Sequence, residues 1–506
     1  MERRLTCLSI TSLFLMVVVL CLFKIESLDF GWHLEAGEYI WATRSIPTHD
    51  LFSYLAEGRR WVDSHWLFQL VLYGFHAAGG IPGVVFLRVA LVVATFALLI
   101  STIYRREYLP VSIAVSLLAL FTAHQRFQMR PELASLLFLA AFLHCAERFS
   151  ERPRLYLCVI PLCQALWANM HGLHLLGVVL LGSYLVGDAL QVLAARSWPR
   201  LPGVETSARE WRQKGVLLVL VLLALLANAN GIEGILYPYQ IFGELRGEVE
   251  FFPELAELRS PFSDPRDFPH PVQFYKVLLV VSMLSMLGRG RRIRLAHVLP
   301  YLVFLYLSTL ALRNMALFAV VATPITIGNL HGVLDSLRKG RGASFATRRR
   351  VVAATALLSS LLAAGVWAAT ASNRLYERIH WNRTFGIGVS DYFPAELVAH
   401  LRTVEGNFFN SPDLGGYLTW KMYPERKVAM DGRWEVYGES LPRLLRAYRS
   451  PAAFAKLAEE YDISTVVLGE TQPALVMAKW LRRSRAWKLT RSTPHALLFE
   501  RADPSR

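Results

Sequence analysis

Long apolar runs recur from residue 5 to residue 371, and nothing else in the chain restricts its fold as strongly. They lie near 5–23, 82–104, 110–123, 131–147, 155–169, 172–194, 215–229, 272–287, 296–312, 314–331 and 351–371. Runs of about 15–23 residues match helices crossing a hydrocarbon core of roughly 30 Å, so roughly eleven membrane spans are expected. Composition agrees, with 54% hydrophobic and only 18% charged residues among 506; soluble proteins rarely combine those values. The run 66–80 carries Trp66, Gln69 and His76 and ends in Gly79-Gly80, which leaves an interfacial helix open beside a span. The first run follows Glu2-Arg-Arg4 as a signal peptide would, but Phe23-Lys-Ile-Glu26 is a poor cleavage site and the run is long enough to span. It reads as a retained helix with a cytoplasmic N-terminus. The five cysteines, Cys7, Cys21, Cys145, Cys158 and Cys163, fall in or beside apolar runs without metal-ligand spacing and read as small buried hydrophobes.

A formal charge of +15 would suit nucleic acid, but its distribution points elsewhere. Basic residues cluster in alternate loops: Arg105-Arg106; Arg148, Arg152 and Arg154; Arg196, Arg200, Arg209, Arg212 and Lys214; Arg289, Arg291, Arg292 and Arg294; Arg338, Lys339, Arg341 and Arg348-Arg-Arg350. All fall on one side if the N-terminus is cytoplasmic and 66–80 does not cross, as the positive-inside rule requires. No nucleic-acid partner is expected. The tail beyond residue 372 then lies outside, and its character changes. Helical patterns near 394–402, 440–461 and 473–483 alternate with short strands near 427–430, 464–468, 486–491 and 495–500, the pattern of a small α/β domain. The expected fold is mainly α. A polytopic membrane domain spans 1–372, with a first outer loop at 24–81, and a small soluble α/β domain spans 373–506.

Polar residues able to carry chemistry collect on the outer side. Asp29 lies just beyond the first span, with His33 and Glu35 behind it. On a helix over 28–40, Asp29 and His33 share a face at i, i+4 spacing. A carboxylate there can deprotonate an acceptor hydroxyl or organise a cation; it can also simply cap a helix. Asp50, Trp61, Asp63 and His65 follow in the same loop as substrate-binding candidates, although Trp also anchors at membrane interfaces. No complete ligand set for a metal is visible, so no metal ligand is assigned and a divalent metal is left open. Arg130 beside Pro131 suits either a phosphate clamp or a snorkelling arginine. Asn169 with His171 and His174, Asn228 with Asn230 and Gly231, and Arg313-Asn314 interrupt apolar runs where lipid exposure would be costly. In the tail, Asn410-Ser-Pro-Asp-Leu-Gly415-Gly416-Tyr417 and Asp431-Gly-Arg433 read as turns, the latter pair as a ligand site, an ion pair or a turn. Asn382-Arg-Thr384 is a formal glycosylation sequon.

These residues, taken in order, resemble those of the GT-C superfamily of polytopic glycosyltransferases. A bacterial group of uncharacterised membrane proteins with a similar outer loop is closer still. The matching stretches are Asp29-Phe-Gly-Trp-His33 with Gly37, Ile46-Pro47 with Asp50 and Phe52-Ser-Tyr54, Trp61 with Trp66-Leu67, Arg130-Pro131, Trp167-Ala-Asn169 with His171-Gly172, Asn230-Gly231 and Asp431-Gly-Arg433. The resemblance implies transfer of a sugar from a polyprenyl-phosphate-linked donor to an envelope acceptor, on the outer face of a bacterial inner membrane. It implies Asp29 as the base and Arg130 or Arg313 on the lipid phosphate. Many members pair two adjacent acids in this loop, whereas position 30 here is Phe and the nearest acids are Glu26 and Glu35. A non-catalytic protein binding a lipid-linked glycan is the competing expectation. A transporter would show repeated halves and paired broken helices, and the sequence shows neither.

Overall fold

The computed structural model describes residues 1–197, 207–247, 256–263, 269–338, 345–379 and 383–502. Arg200, Lys339 and Arg341 of the basic series and Asn382 of the sequon lie outside the described residues. Every expected apolar run is helical. Among the described residues, seven helices are long and apolar enough to cross a membrane, and the chain is an integral membrane protein. The runs near 5–23, 155–169, 215–229 and 296–312 form shorter or more charged helices, Glu2–Val19, Pro153–Ala168, Ala208–Ala224 and Leu295–Leu310.

The chain divides into two compact units that do not follow its order. The helical unit comprises Met1–Phe23, Val85–Pro238 and Leu255–Gly386. At its centre runs the helix Met315–Arg338, whose consecutive residues Met315 to Ala322 are all buried. A helix apolar all round belongs inside a bundle. Outer helices leave Leu222, Leu223, Leu284, Leu287, Leu358 and Leu361 exposed, as side chains facing lipid would be. Two guanidiniums flank one ring in this unit, with Arg88 3.8 Å and Arg383 3.9 Å from the Phe23 centroid. Such stacking offsets part of the cost of burying them.

The other unit joins Lys24–Val84, Tyr239–Glu254 and Ile387–Arg506, so the loop after the first helix packs with the C-terminal portion. The helix Trp66–Ile103 breaks at Gly80, where φ is 59° and ψ is −149°. Only glycine takes that geometry without strain, and the break falls at the Gly pair noted in the sequence. Among the described residues the unit holds one four-stranded sheet of order β1-β2-β4-β3, from Asn407–Asn410 (β1), Ile463–Leu468 (β2), Trp487–Ser492 (β3) and Leu497–Arg501 (β4). β1 and β2 are parallel, and the remaining pairs are antiparallel.

Two local expectations need correction. Residues 427–430 form no strand of this sheet. Their backbone pairs with the loop instead: Val428 N–H donates to Phe52 O at 2.9 Å, and Tyr54 N–H donates to Val428 O at 3.1 Å. The stretch 410–417 is not a turn; it ends β1 and begins the helix Pro412–Met422. Its glycines serve packing: a Cβ on Gly31 would come 2.0 Å from Gly416 O, and one on Gly416 would come 2.1 Å from Leu28 O. The helices Phe30–Thr43 and Pro412–Met422 therefore touch backbone to backbone. Trp32, Phe52, Trp61, Met430, Tyr437 and Tyr448 join Val466 and Phe499 of the sheet in one core.

Candidate active site in the loop and tail unit

The helix Phe30–Thr43 begins at Asp29, whose side chain makes no capping hydrogen bond. The carboxylate instead accepts from Trp32 Nε1 at 3.3 Å and lies against Gly432, where a Cβ would approach Asp29 Oδ1 to 2.2 Å. A side chain at 432 would force the Asp29 carboxylate to move. Asp29 is half-buried, at the positive end of the helix dipole, where a negative charge is favoured.

Arg433 anchors the segment that meets Asp29. Its guanidinium is fully buried, pairs with Asp50 Oδ1 at 2.6 Å and Asp431 Oδ2 at 2.6 Å, and lies 4.7 Å from the Trp61 ring, 4.8 Å from Phe52 and 5.7 Å from Trp32. Burial pushes it down, but Asp431 and Asp50 outweigh that and hold it charged. Asp431 Oδ1 also accepts from the Arg433 backbone N–H at 3.0 Å, and Asp50 Oδ2 accepts from Ser53 N–H at 2.9 Å. A charge so well matched fixes its neighbours more than it stabilises the fold. Of the readings open for Asp431 and Arg433, the ion pair is the one formed.

His33 is buried beside Trp32, with ring centroids 3.6 Å apart, and its Nδ1 lies 3.5 Å from Gln69 Nε2. Gln69 Nε2 also donates to Asp63 Oδ1 at 3.0 Å, which accepts from the His65 backbone N–H as well. Burial pushes Asp63 up to about 7 and His65 down to about 4. His65 is therefore neutral at physiological pH. Asp29, His33, Asp50, Trp61, Asp63 and His65 thus fall within one unit. The sequence missed Gln69, which joins two of them, and Glu435. Glu435 opens the short helix Trp434–Tyr437. Burial pushes its carboxyl up to about 7, with Asp431 and Asp29 adding to the rise.

The helical unit holds a separate basic cluster. Arg126 donates from Nη1 to Glu257 Oε2 at 2.6 Å and from Nε to Glu132 Oε2 at 2.9 Å, and Arg130 Nη1 lies 3.4 Å from Glu257 Oε2. Burial raises Glu257, but Arg126, Arg130 and Arg313 outweigh it and hold the carboxyl well below the usual range. Among the described residues, Arg126, Arg130 and Arg313 thus all act on the Glu257 carboxyl, and Arg126 also pairs with Glu132. Arg126 and Glu257 carried no signal in the sequence, because residues far apart in the chain form the cluster. Asn169 cross-links backbone, donating to Ala165 O and Ala227 O at 2.7 Å and accepting from Ala229 N–H at 3.1 Å. His171 Nδ1 bonds Ser135 Oγ at 2.7 Å, and Ser135 Oγ also accepts from Trp167 Nε1. Asn230 sits in a turn closed by its N–H to Asn228 Oδ1 at 2.8 Å. Among the described residues no three His, Cys, Asp or Glu side chains are arranged to hold a metal ion.

The described residues form a polytopic helical core with a small four-stranded sheet in the C-terminal portion. No protein-family model matches the sequence, and no curated protein matches it. Solved structures do. The archaeal oligosaccharyltransferase AglB from Archaeoglobus fulgidus, in complex with an inhibitory peptide and a dolichol-phosphate, matches at TM-score 0.56 and 12% identity, over 93% of this chain and 71% of that one. ArnT from Cupriavidus metallidurans in the apo state matches at TM-score 0.53 and 12% identity, over 97% of each chain. At that identity the likeness establishes the fold.

Proposed function

We propose that the chain is a membrane glycosyltransferase that moves a sugar from a polyprenyl-phosphate-linked donor to an envelope glycan, lipid or protein acceptor. One observation carries the reading: Asp29, half-buried, makes no capping bond and lies instead beside Trp32 and Gly432, in the unit that also holds Asp50, Asp63, His65 and Arg433. A fixed carboxylate of this kind suits a general base for an acceptor proton. His33 packs its ring against Trp32, while Asp50 and Trp61 brace Arg433. Arg130 and Arg313, with Arg126, are assigned to the lipid phosphate, since guanidiniums match phosphate oxygens in forked geometry. The structural neighbour carrying a dolichol-phosphate accords with such a donor. The bacterial inner membrane is the proposed location, with the N-terminus cytoplasmic and the tail outside.

Asp29→Asn is expected to keep normal membrane insertion and lose about 10²–10⁴-fold of glycan transfer, measured in membranes of cells expressing the full chain. Undiminished products would leave a glycan-binding protein in its place. Arg130→Ala is expected to weaken binding of undecaprenyl phosphate to the purified chain several-fold, and unaltered binding would return Arg130 to a snorkelling role.

A further inference from the structure

We propose that one face of the tail docks on the anionic headgroup layer of the membrane that the chain itself spans. The face lies on the helix Gln472–Leu481 and on the turn and strand β3 that follow it. Ala474, Met477, Ala478 and Leu481 of this helix are buried in the core shared with the sheet. The opposite stripe is open. Leu475 is 38% and Val476 42% exposed, and Lys479, one turn on, is exposed with them. Arg482 N–H donates to Ala478 O and Arg483 N–H to Trp480 O, so the helical path continues and the exposed Arg482 and Arg483 extend the stripe. Arg485 and Lys488 are exposed beyond the helix end.

No Asp or Glu occurs between Glu470 and Glu500. Among the described residues no ion pair engages Lys479, Arg482, Arg483, Arg485 or Lys488. Glu500, opposite Lys488 in the sheet, is bonded to His400 at 2.7 Å. The helix dipole favours cations in the last turn. It reaches neither Arg485 nor Lys488, and it gives no reason for an exposed Leu-Val pair beside them. Apolar and basic side chains on one helix face are what an interfacial segment presents to lipid: the apolar ones enter the acyl boundary and the cations hold headgroup phosphates. A glycan polymer would satisfy the charge but not Leu475 and Val476. Because the chain is an integral membrane protein, lipid stands within reach of the tail at high effective concentration.

The test is hydroxyl-radical labelling of the purified full chain in lipid nanodiscs, read by mass spectrometry at Leu475 and Val476. Labelling of both is expected to fall several-fold when phosphatidylcholine discs are exchanged for an equimolar mixture with phosphatidylglycerol. Raising salt from about 0.1 M to about 1 M shortens the screening length from about 10 Å to about 3 Å, and should return labelling toward the phosphatidylcholine level. The joint variant Lys479→Glu, Arg482→Glu and Arg483→Glu should lose the protection at low salt. Labelling that phosphatidylglycerol leaves unchanged overturns the proposal, as does protection that survives the charge reversal. Protection by heparin on phosphatidylcholine discs, without protection by phosphatidylglycerol, overturns it in favour of an anionic glycan. Should the joint variant fail to fold, the lipid and salt series on the unaltered chain decide.

Discussion

Glu35 and Arg433 are both buried in the same unit, and they show opposite ways of holding a charge. Arg433 has two carboxylates against it. Glu35, on the helix Phe30–Thr43, has none, and burial together with the nearby Glu38 pushes its carboxyl up to about 8. The folded state then retains a proton that the unfolded chain releases near the ordinary value of about 4.3. Stability from this group is complete below that value and is lost as pH climbs to about 8. Glu35→Gln should therefore barely change the melting temperature at pH 5 and raise it by several degrees at pH 9. Equal shifts at both values would mean that Glu35 is ionised throughout. The sequence placed Asp29, His33, Asp50, Trp61, Asp63 and His65 in one loop because they are close in the chain. It gave no sign of Glu257, whose partners Arg126 and Arg130 are 131 and 127 residues away in the chain.

Helices of the membrane portion were readable because apolar length is a local property. The segment 410–417 was not. Ser-Pro-Asp and Gly-Gly are turn formers in isolation, yet Pro412 is also a favoured first residue of a helix, and what decides between the two is the neighbour at Gly31. Strand-like residues 427–430 misled for a related reason, as their backbone partners are Phe52 and Tyr54 rather than another tail strand. Gly416→Ala tests the helix contact directly. Its methyl would meet the Leu28 carbonyl oxygen at 2.1 Å, and backbone cannot swing aside as a side chain can. We expect a loss of at least about 1–3 kcal/mol, seen as a lower melting temperature in detergent with the membrane helices intact. An unchanged melting curve would mean that this crossing is looser than described.

Across the whole molecule, the loop 24–84 and the tail 387–506 share one hydrophobic core. The tail expressed alone would leave Arg433 without Asp50 and the Gly416 face without its helix. We expect it to exchange its amide hydrogens rapidly and to lack a cooperative unfolding transition, with both restored when the 24–84 segment is fused to it. Cooperative unfolding by the isolated tail would show that the loop is dispensable.

That shared core also sets a timetable for biosynthesis. Some 300 residues separate Val84 from Ile387, and at about 5–20 residues per second a ribosome needs roughly 15–60 s to add them. During that interval the newly made segment bearing Asp29 has no partner, and its tryptophans and bare glycine face stay open to proteases and to stray association. A holding chaperone on the same side of the membrane would shield it, so a cell lacking one should accumulate chains clipped between the first two apolar helices.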